Sequence, residues 1–426
     1  MPESSNKPLD NKNHDSADNA DNITEAIIAN MIAILSSAKS EKDQMTSEGL
    51  VECGIWDFAG QKDYYATHQT FFTPHAIYLL VADITEDIED IHQDENADFD
   101  KIGEYIGFWF DSIHCFCTNS LPAKLCPPVI MVCTGIDKVD KVEERKREYE
   151  QKFSRIFGEQ KKIDHNRGIH YISTKYPDEK RNRQPEKTYL ANCNGDELFF
   201  EERPTKWINL ENALAVLKDM GETVYSWKNT LKLAKENSIE ETDMVLFLNY
   251  HHKIGNIIFF YDKPDYIILQ PNWLVKCFRC LICDDAKLFS SPTGTEIRKL
   301  KVKGELSEIL LDELFEKHTD LNFGDYKSHI LDVMEKFDII IKPTFSNSET
   351  KLYYMPCMIE TSSSLTKIKE KCFTSQGHCT SWLVLEFKFL PVAYYNHILF
   401  DYIRQYKVCE EEPGIQPFTK EKQLSI

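Results

Sequence analysis

Over residues 51–220 short apolar runs alternate with amphipathic stretches, and that alternation constrains the fold more than any other feature of the chain. The runs at 51–58, 76–82, 129–133 and 169–173 have the length and apolar content of strands. Stretches 62–71, 100–117 and 139–157 between them, and 207–220 after the last, carry helical spacing. Parallel neighbours cannot be joined by a tight turn, so strands spaced by helices predict a mostly parallel sheet with crossover helices. The acidic stretch 84–100 lies where a strand-to-helix connection runs, and 175–206 reads as an exposed loop.

After residue 221 the texture changes. Residues 224–235, 242–250, 271–283, 305–317 and 326–337 read as helices, and 255–261 with 265–269 as a hairpin pair. Strands at 338–342, 352–355 and 382–389 precede a closing helix over 392–405. Such an order predicts an α+β region of two small subdomains. Ahead of the sheet, residues 1–22 hold almost nothing to bury and are expected to be disordered, while Asn22-Ile23-Thr24-Glu25 opens a short capped helix over 23–35. The expected domains are 1–48, an N-terminal segment with that helix; 49–222, the sheet domain; 223–345, a first α+β subdomain; and 346–426, the start of a second.

Composition excludes several classes. A formal charge of −19 argues against broad neutralisation of nucleic-acid phosphates, though not against a small phosphate site built from backbone N–H groups. No window approaches the length of an apolar membrane span, and the N-terminus lacks the basic and apolar regions of a secretory signal. Thirteen cysteines, an odd number with several inside apolar runs, point to reduced thiols and a cytoplasmic location.

Three segments carry chemistry. In Trp56-Asp57-Phe58-Ala59-Gly60-Gln61, Asp57 ends an expected parallel strand, where α/β sheets bind ligands. Gly60 lets a backbone N–H approach a phosphate, and the Gln61 amide can orient a water. Equally, Asp57 could cap a helix and Gly60 supply a bend. The strand at 129–133 runs into Thr134-Gly135-Ile136-Asp137, whose carboxylate can accept two N–H groups of one base. Ile172-Ser173-Thr174-Lys175 ends the next strand.

In order and placement these pieces resemble the Ras-like GTPases. The resemblance implies GTP or GDP with Mg²⁺ as cofactors. It assigns Asp57 to the metal through water, Gly60 to the terminal phosphate and Gln61 to the attacking water. Thr134 and Asp137 correspond to the [NT]-K-x-D element that reads guanine, and Ser173 and Lys175 to the loop that touches the base. Gly135 stands where a long side chain lies against the base. The phosphate loop G-x-x-x-x-G-K-[ST] has no counterpart, because no glycine precedes Gly49. In the Ras-like sheet the strand before that loop lies between the strand of Asp57 and the strand at 76–82. Either these two pair directly, or the helix over 23–35 covers the gap, or the chain is a truncated product.

The second part, with WINLENALAVL at 207–217, VLFL at 245–248, KIGNIIFF at 253–260 and ILQPNWLV at 268–275, resembles the COR region that follows the Roc GTPase in the ROCO family. Gly304-Glu305-Leu306 and Phe337-Asp338 fit its winged-helix-like part, and EFKFLP at 386–391 the opening of its second subdomain. The resemblance implies an α/β fold, a Ras-like parallel sheet lacking its first strand, followed by an α+β COR region. It also implies homodimer or protein-partner contacts through COR. Three functions are open: a signalling module with a residual guanine half-site and weak or absent hydrolysis; a fragment of an active GTP-binding ROCO protein whose phosphate loop lies upstream, with any kinase elsewhere in the full chain; and a COR-driven dimer scaffold with no nucleotide role. No kinase motifs are present in the sequence. Cys277-x-x-Cys280-x-x-Cys283 reads as core thiols, His251-His252 as helix-end residues, and 86–100 as a solvated acidic loop.

Overall fold

The computed structural model describes residues 12–30, 33–34, 36–37, 40, 54–58, 68, 71–89, 102–115, 120–121, 124–173, 175, 204–282, 294–343, 352–359 and 390–405. The chain divides into two compact units: Met1–Thr67 with Arg203–Val384 and Ala393–Ile426, and His68–Glu202 with Leu385–Val392.

The second of these is a mixed α/β unit. Strands β1 (Tyr78–Asp83), β2 (Val129–Thr134) and β3 (Asn166–Tyr171) form a parallel sheet in the order β1-β2-β3. Helix α2 (Ile102–Cys115) crosses from β1 to β2, and α3 (Val142–Phe157) from β2 to β3. The VIMVCT run of β2 is almost wholly buried, as befits a strand covered on both faces. Tyr149, Phe153 and Phe157 recur every four residues on α3 and form its buried stripe. Phe153 meets Phe110 of α2 at 6.3 Å between ring centroids. Tyr78 stacks edge-on with Phe72, which meets Trp109 of α2, while Tyr149 lies beside Cys133. Tyr78 and Cys133 share one face of the sheet by strand parity, so α2 and α3 both lie on that face.

The strand expected over 51–58 is not found at its described positions. Residues 54–58 belong to no strand, and Ile55 is 91 % exposed. A strand is stable only against a ladder partner, and here the Trp56 and Phe58 rings stack on each other instead. Most of the helix expected over 62–71 lies outside them.

The other unit is α+β. A capped three-residue strand entering a helix occurs twice. In β4 (Val224–Ser226) and α5 (Trp227–Glu236), Ser226 accepts from the Asn229 N–H; in β6 (Glu305–Ser307) and α9 (Glu308–Glu316), Ser307 accepts from the Leu310 N–H. Helices expected from 224 and 305 thus start three residues later, because the residues before each cap pair antiparallel with β5 (Tyr266–Ile268) and β7 (Leu352–Tyr354). The expected 255–261 hairpin arm reduces to a single bridge, Ile258 to Ile268, and 338–342 to the bridge Ile341 to Tyr354. Helices α6 (Glu241–Lys253), α7 (Pro271–Ile282) and α10 (Lys327–Lys336) follow the sequence pattern closely, as does the closing helix, here α11 (Val392–Gln405); α8 (Gly294–Lys303) was not foreseen.

Two boundaries move. Helix α1 spans Lys12–Ala29, so it starts inside the stretch expected to be disordered. Its Ile27 is 3 % exposed in a core shared with Leu210, Leu214 and Leu217 of α4 (Thr205–Asp219), Leu233 of α5 and Phe247 of α6. Thr24 bonds Tyr225 in the same place, and Lys232 pairs with Glu25. Helix α4, expected with the sheet domain, packs in this core too, through Leu210, Ala213, Leu214 and Leu217. At the far end, Leu399, Phe400 and Ile403 of α11 cluster with Ile341, Tyr354 and Ile359, so a division at 345–346 would cut through one apolar cluster. The strand expected over 382–389 lies outside the described residues.

Candidate functional site

The C-terminal ends of β1, β2 and β3 bring together the part of the expected site that lies in the sheet unit. At the end of β2, Thr134 Oγ1 donates to the Ala82 carbonyl at 3.3 Å, which ties β2 to β1. Gly135 follows with φ +79°, a left-handed conformation that glycine adopts without penalty, and it opens the short 3₁₀ turn Ile136–Lys138. That turn lifts Asp137 into an exposed position. Ser173, two residues beyond β3, donates its hydroxyl to Asp137 Oδ1 at 3.1 Å, and its oxygen accepts the Lys175 N–H at 3.2 Å. Thr134, Asp137, Ser173 and Lys175 thus form one loop cluster, 36 residues apart in chain at the Ser173–Asp137 contact.

A carboxylate held by one hydroxyl keeps lone pairs for other donors. The exposed Asp137 can therefore accept from a ligand with adjacent N–H groups, such as the amino and ring N–H of guanine. Lys175 is also exposed on this rim.

Asp83 was not foreseen as part of the site. It ends β1, accepts from the Thr85 N–H at 2.9 Å and Thr85 Oγ1 at 2.7 Å, and pairs with Lys138 at 3.2 Å. Burial pushes its carboxyl up, but these donors outweigh burial and hold it below the usual carboxylate range. A Cβ on Gly135 would come within 2.5 Å of Asp83 Oδ1. The carboxylate thus fills the space beside the glycine, and the missing long side chain at 135 and the presence of Asp83 are two sides of one packing solution. The available signal was Asp83-Ile84-Thr85 at a strand end, the pattern of an Asx turn.

The connection after β1 is not simply a solvated acidic loop. Arg145 of α3 donates to the carbonyls of Ile84 at 2.9 Å, Thr85 at 3.4 Å and Glu86 at 3.0 Å. Lys152 pairs with Asp87, and Arg155 with Glu89. A basic stripe on α3 therefore neutralises the described part, 84–89; residues 90–100 lie outside the described residues.

Asp57 is exposed and belongs to the other unit, and Gly60 and Gln61 lie outside the described residues. Among the described residues no group of three or more His, Cys, Asp or Glu is placed to hold a metal. Asp57 alone offers Mg²⁺ one carboxylate, which fits that ion only where phosphate oxygens and water complete the shell. Cys277 is fully buried, and burial pushes its thiol up; Cys280 lies against the Lys276 carbonyl, and Cys283 is outside the described residues. His251 is buried against Phe247 and bonded to Asn256, a packing role at the end of α6. No described helix is long and apolar enough to cross a membrane.

A parallel α/β sheet with a T-G-x-D loop at its ligand end, followed by an α+β unit, defines a GTPase-like domain joined to a COR region. The sequence model described as "Ras of Complex, Roc, domain of DAPkinase" matches residues 14–137, and "C-terminal of Roc, COR-A domain" matches residues 204–359. With both matches in that order, the chain belongs to the ROCO family. Among curated proteins of Dictyostelium discoideum it is 22 % identical over 296 residues to probable serine/threonine-protein kinase roco5, covering 68 % of this chain and 9 % of that protein. It is 25 % identical over 242 residues to cyclic GMP-binding protein C, covering 55 % and 8 %. With probable serine/threonine-protein kinase pats1 the figures are 21 % over 365 residues, 82 % and 10 %. The chain thus spans about a tenth of the length of these relatives. Among solved structures, Methanosarcina barkeri Roco2 RocCORdC bound to GDP matches at TM-score 0.45 and 21 % identity, over 71 % of this chain and 79 % of that one.

Proposed function

We propose that this chain is a Roc–COR signalling module with a residual guanine-nucleotide half-site, acting mainly as a regulatory and dimerisation scaffold in the cytoplasm, with weak or absent GTP hydrolysis. The observation that carries this reading is the loop cluster in which Ser173 steadies an exposed Asp137 beside Gly135, in a sequence with no phosphate loop. In this reading Asp137 accepts the two guanine N–H groups, while Thr134, Ser173 and Lys175 set the loops around the base. Base recognition then survives, but the charge-assisted hydrogen bonds that hold phosphates are lost, each worth about 1.5–3 kcal/mol. Asp57, Gly60 and Gln61 would act on phosphate, Mg²⁺ and the attacking water only where a phosphate cradle is supplied. COR contacts are assigned to a second copy or a protein partner.

A thermal-shift titration of purified chain with GDP, GTP and ADP, each with Mg²⁺, tests the reading. A small, guanine-selective rise of the midpoint at millimolar nucleotide supports it. A large rise at micromolar GDP overturns the half-site in favour of a complete one, and no guanine preference removes the base site. The second reading, a fragment of an active GTP-binding ROCO protein, is favoured by one observation: relatives ten times longer. It predicts tight GDP binding once upstream sequence is restored.

A further inference from the structure

Helix α1 meets the COR unit along α5. Asp21 pairs with Lys228 at 3.4 Å and Glu25 with Lys232, so the two helices lie side by side and run in the same direction. Between these pairs Thr24 bonds the hydroxyl of Tyr225, and Ile27 enters the core with Ile23 and Ile28 half-buried beside it. Among the described residues Ile27 is the one buried member of that core outside Leu210–Leu269. The COR-A match opens at residue 204 and leaves α1 out. Both ion pairs are exposed, with 81 % of the Lys228 side chain and 41 % of the Lys232 side chain open to solvent, and exposed pairs hold weakly. A helix that adds one buried isoleucine, a buried hydrogen bond and two such pairs to a core can open while the helices beneath it stay folded.

We infer that α1 is exchangeable: the groove it fills beside α5 and Tyr225 also takes the α1 of a second copy of this chain, joining two copies by reciprocal helix swapping. The second copy is the occupant because it brings the required groups in the required order. Lys228 and Lys232 call for carboxylates four residues apart, as Asp21 and Glu25 supply. Tyr225 is 1 % exposed, so its hydroxyl needs a small polar partner such as Thr24, and an all-apolar helix would leave it buried without a bond. Ile27 then anchors the helix in the core, the helix-in-groove mode of recognition. Swapping keeps every one of these contacts, so the closed monomer and the swapped dimer differ only in association entropy and in the path of the connecting chain. A tethered helix outcompetes a free one until the chain concentration nears the effective concentration of the tether, so the closed form holds in dilute solution. The inference deepens, and rests on, the reading of COR as a dimerisation scaffold.

The test uses two full-length variants. Lys228→Glu with Lys232→Glu reverses the groove, and Asp21→Lys with Glu25→Lys reverses the helix. In each variant α1 is repelled by its own groove, while each groove suits the other variant's helix. Sedimentation and residue-resolved amide exchange are read at low salt for each variant alone and for the mixture. The mixture should form a heterodimer about tenfold or more tighter than either variant's self-association, and mixing should slow exchange over 21–30 about tenfold. That dimer should fade at about 1 M salt, where the Debye length is about 3 Å. A chain carrying all four substitutions should close on itself as the unsubstituted chain does, which controls for folding. If that chain closes and no heterodimer forms, α1 is a purely internal helix and the proposal is overturned. Failure of the fourfold variant to slow exchange over 21–30 overturns it as well, as does self-association of either variant as tight as the mixture. A heterodimer whose 21–30 amides exchange as fast as in the separate variants also overturns it, while keeping the scaffold reading through a contact elsewhere on COR.

Discussion

Replacing Gly135 by alanine tests whether the loop ahead of Asp137 is built around Asp83. At φ +79° an L-residue costs about 1–2 kcal/mol, which is the torsional part. The steric part follows from the 2.5 Å approach of the added Cβ to Asp83 Oδ1. Asp83 can retreat only by giving up its bonds from the Thr85 N–H and hydroxyl and its pairing with Lys138. Its side chain is 30 % exposed, so water recovers much of that loss, and about 1 kcal/mol remains. Gly135→Ala should therefore cost about 2–3 kcal/mol. Asp83→Ala removes the obstacle, and in the double variant only the torsional cost of alanine should persist. Because the chain holds two units, a single unfolding midpoint is not the proper readout; native-state amide exchange over β2 is. A cost below about 0.5 kcal/mol, or additivity of the two substitutions within about 0.5 kcal/mol, would refute the reasoning.

Asp137→Asn exchanges an acceptor for a donor, so GDP should bind about tenfold or more weakly while xanthine nucleotides, which present a carbonyl in place of the amino group, gain; competition against fluorescent GDP measures both. Arg145→Met removes the donors to three consecutive carbonyls, and limited proteolysis should then cut faster within 84–89. Burial pushes His165 and His68 down to about 4, so between pH 6.5 and about 4 the unfolded chain takes up protons that the folded chain refuses. Stability of the sheet unit should fall across that window, and His165→Gln should make the slope shallower in denaturation at stepped pH. Asp83 and Asp87, held below the usual 3.8, contribute at neutral pH and lose that contribution only as pH falls further, below the ordinary carboxylate value. Ile27→Ala should cost about 2–4 kcal/mol through the cavity it leaves, seen as destabilisation of the COR unit and not of the sheet.

The sheet was legible in the sequence because β1 and β2 are apolar, short and bounded by helical patterns, and the parallel order followed from the spacing. The placement of Asp137 and Ser173 just past neighbouring strands was legible too, whereas the hydrogen bond between them was not. What escaped was set by tertiary pairing. Val224 and Tyr225 have residue types compatible with a helix, and only the β5 partner and the Ser226 cap make them a strand. Likewise Ile23 and Ile27 mark an apolar stripe without saying what it packs on, so covering the sheet gap stood as one of three alternatives for this segment; its companions are α4, α5 and α6. Asp83 escaped because its role depends on the vacancy at Gly135, which is a fact of space.

The placement of α1 has a consequence during synthesis. Thr24 and Tyr225, which bond in the folded chain, lie 201 residues apart. At about 5–20 residues per second, roughly 10–40 s pass between emergence of the helix from the ribosome and the arrival of the residues that bury it. Throughout that interval the isoleucines of α1 face water or a chaperone while the sheet unit is made and folds. A helix made well before the residues that bury it is thus among the last to find its place.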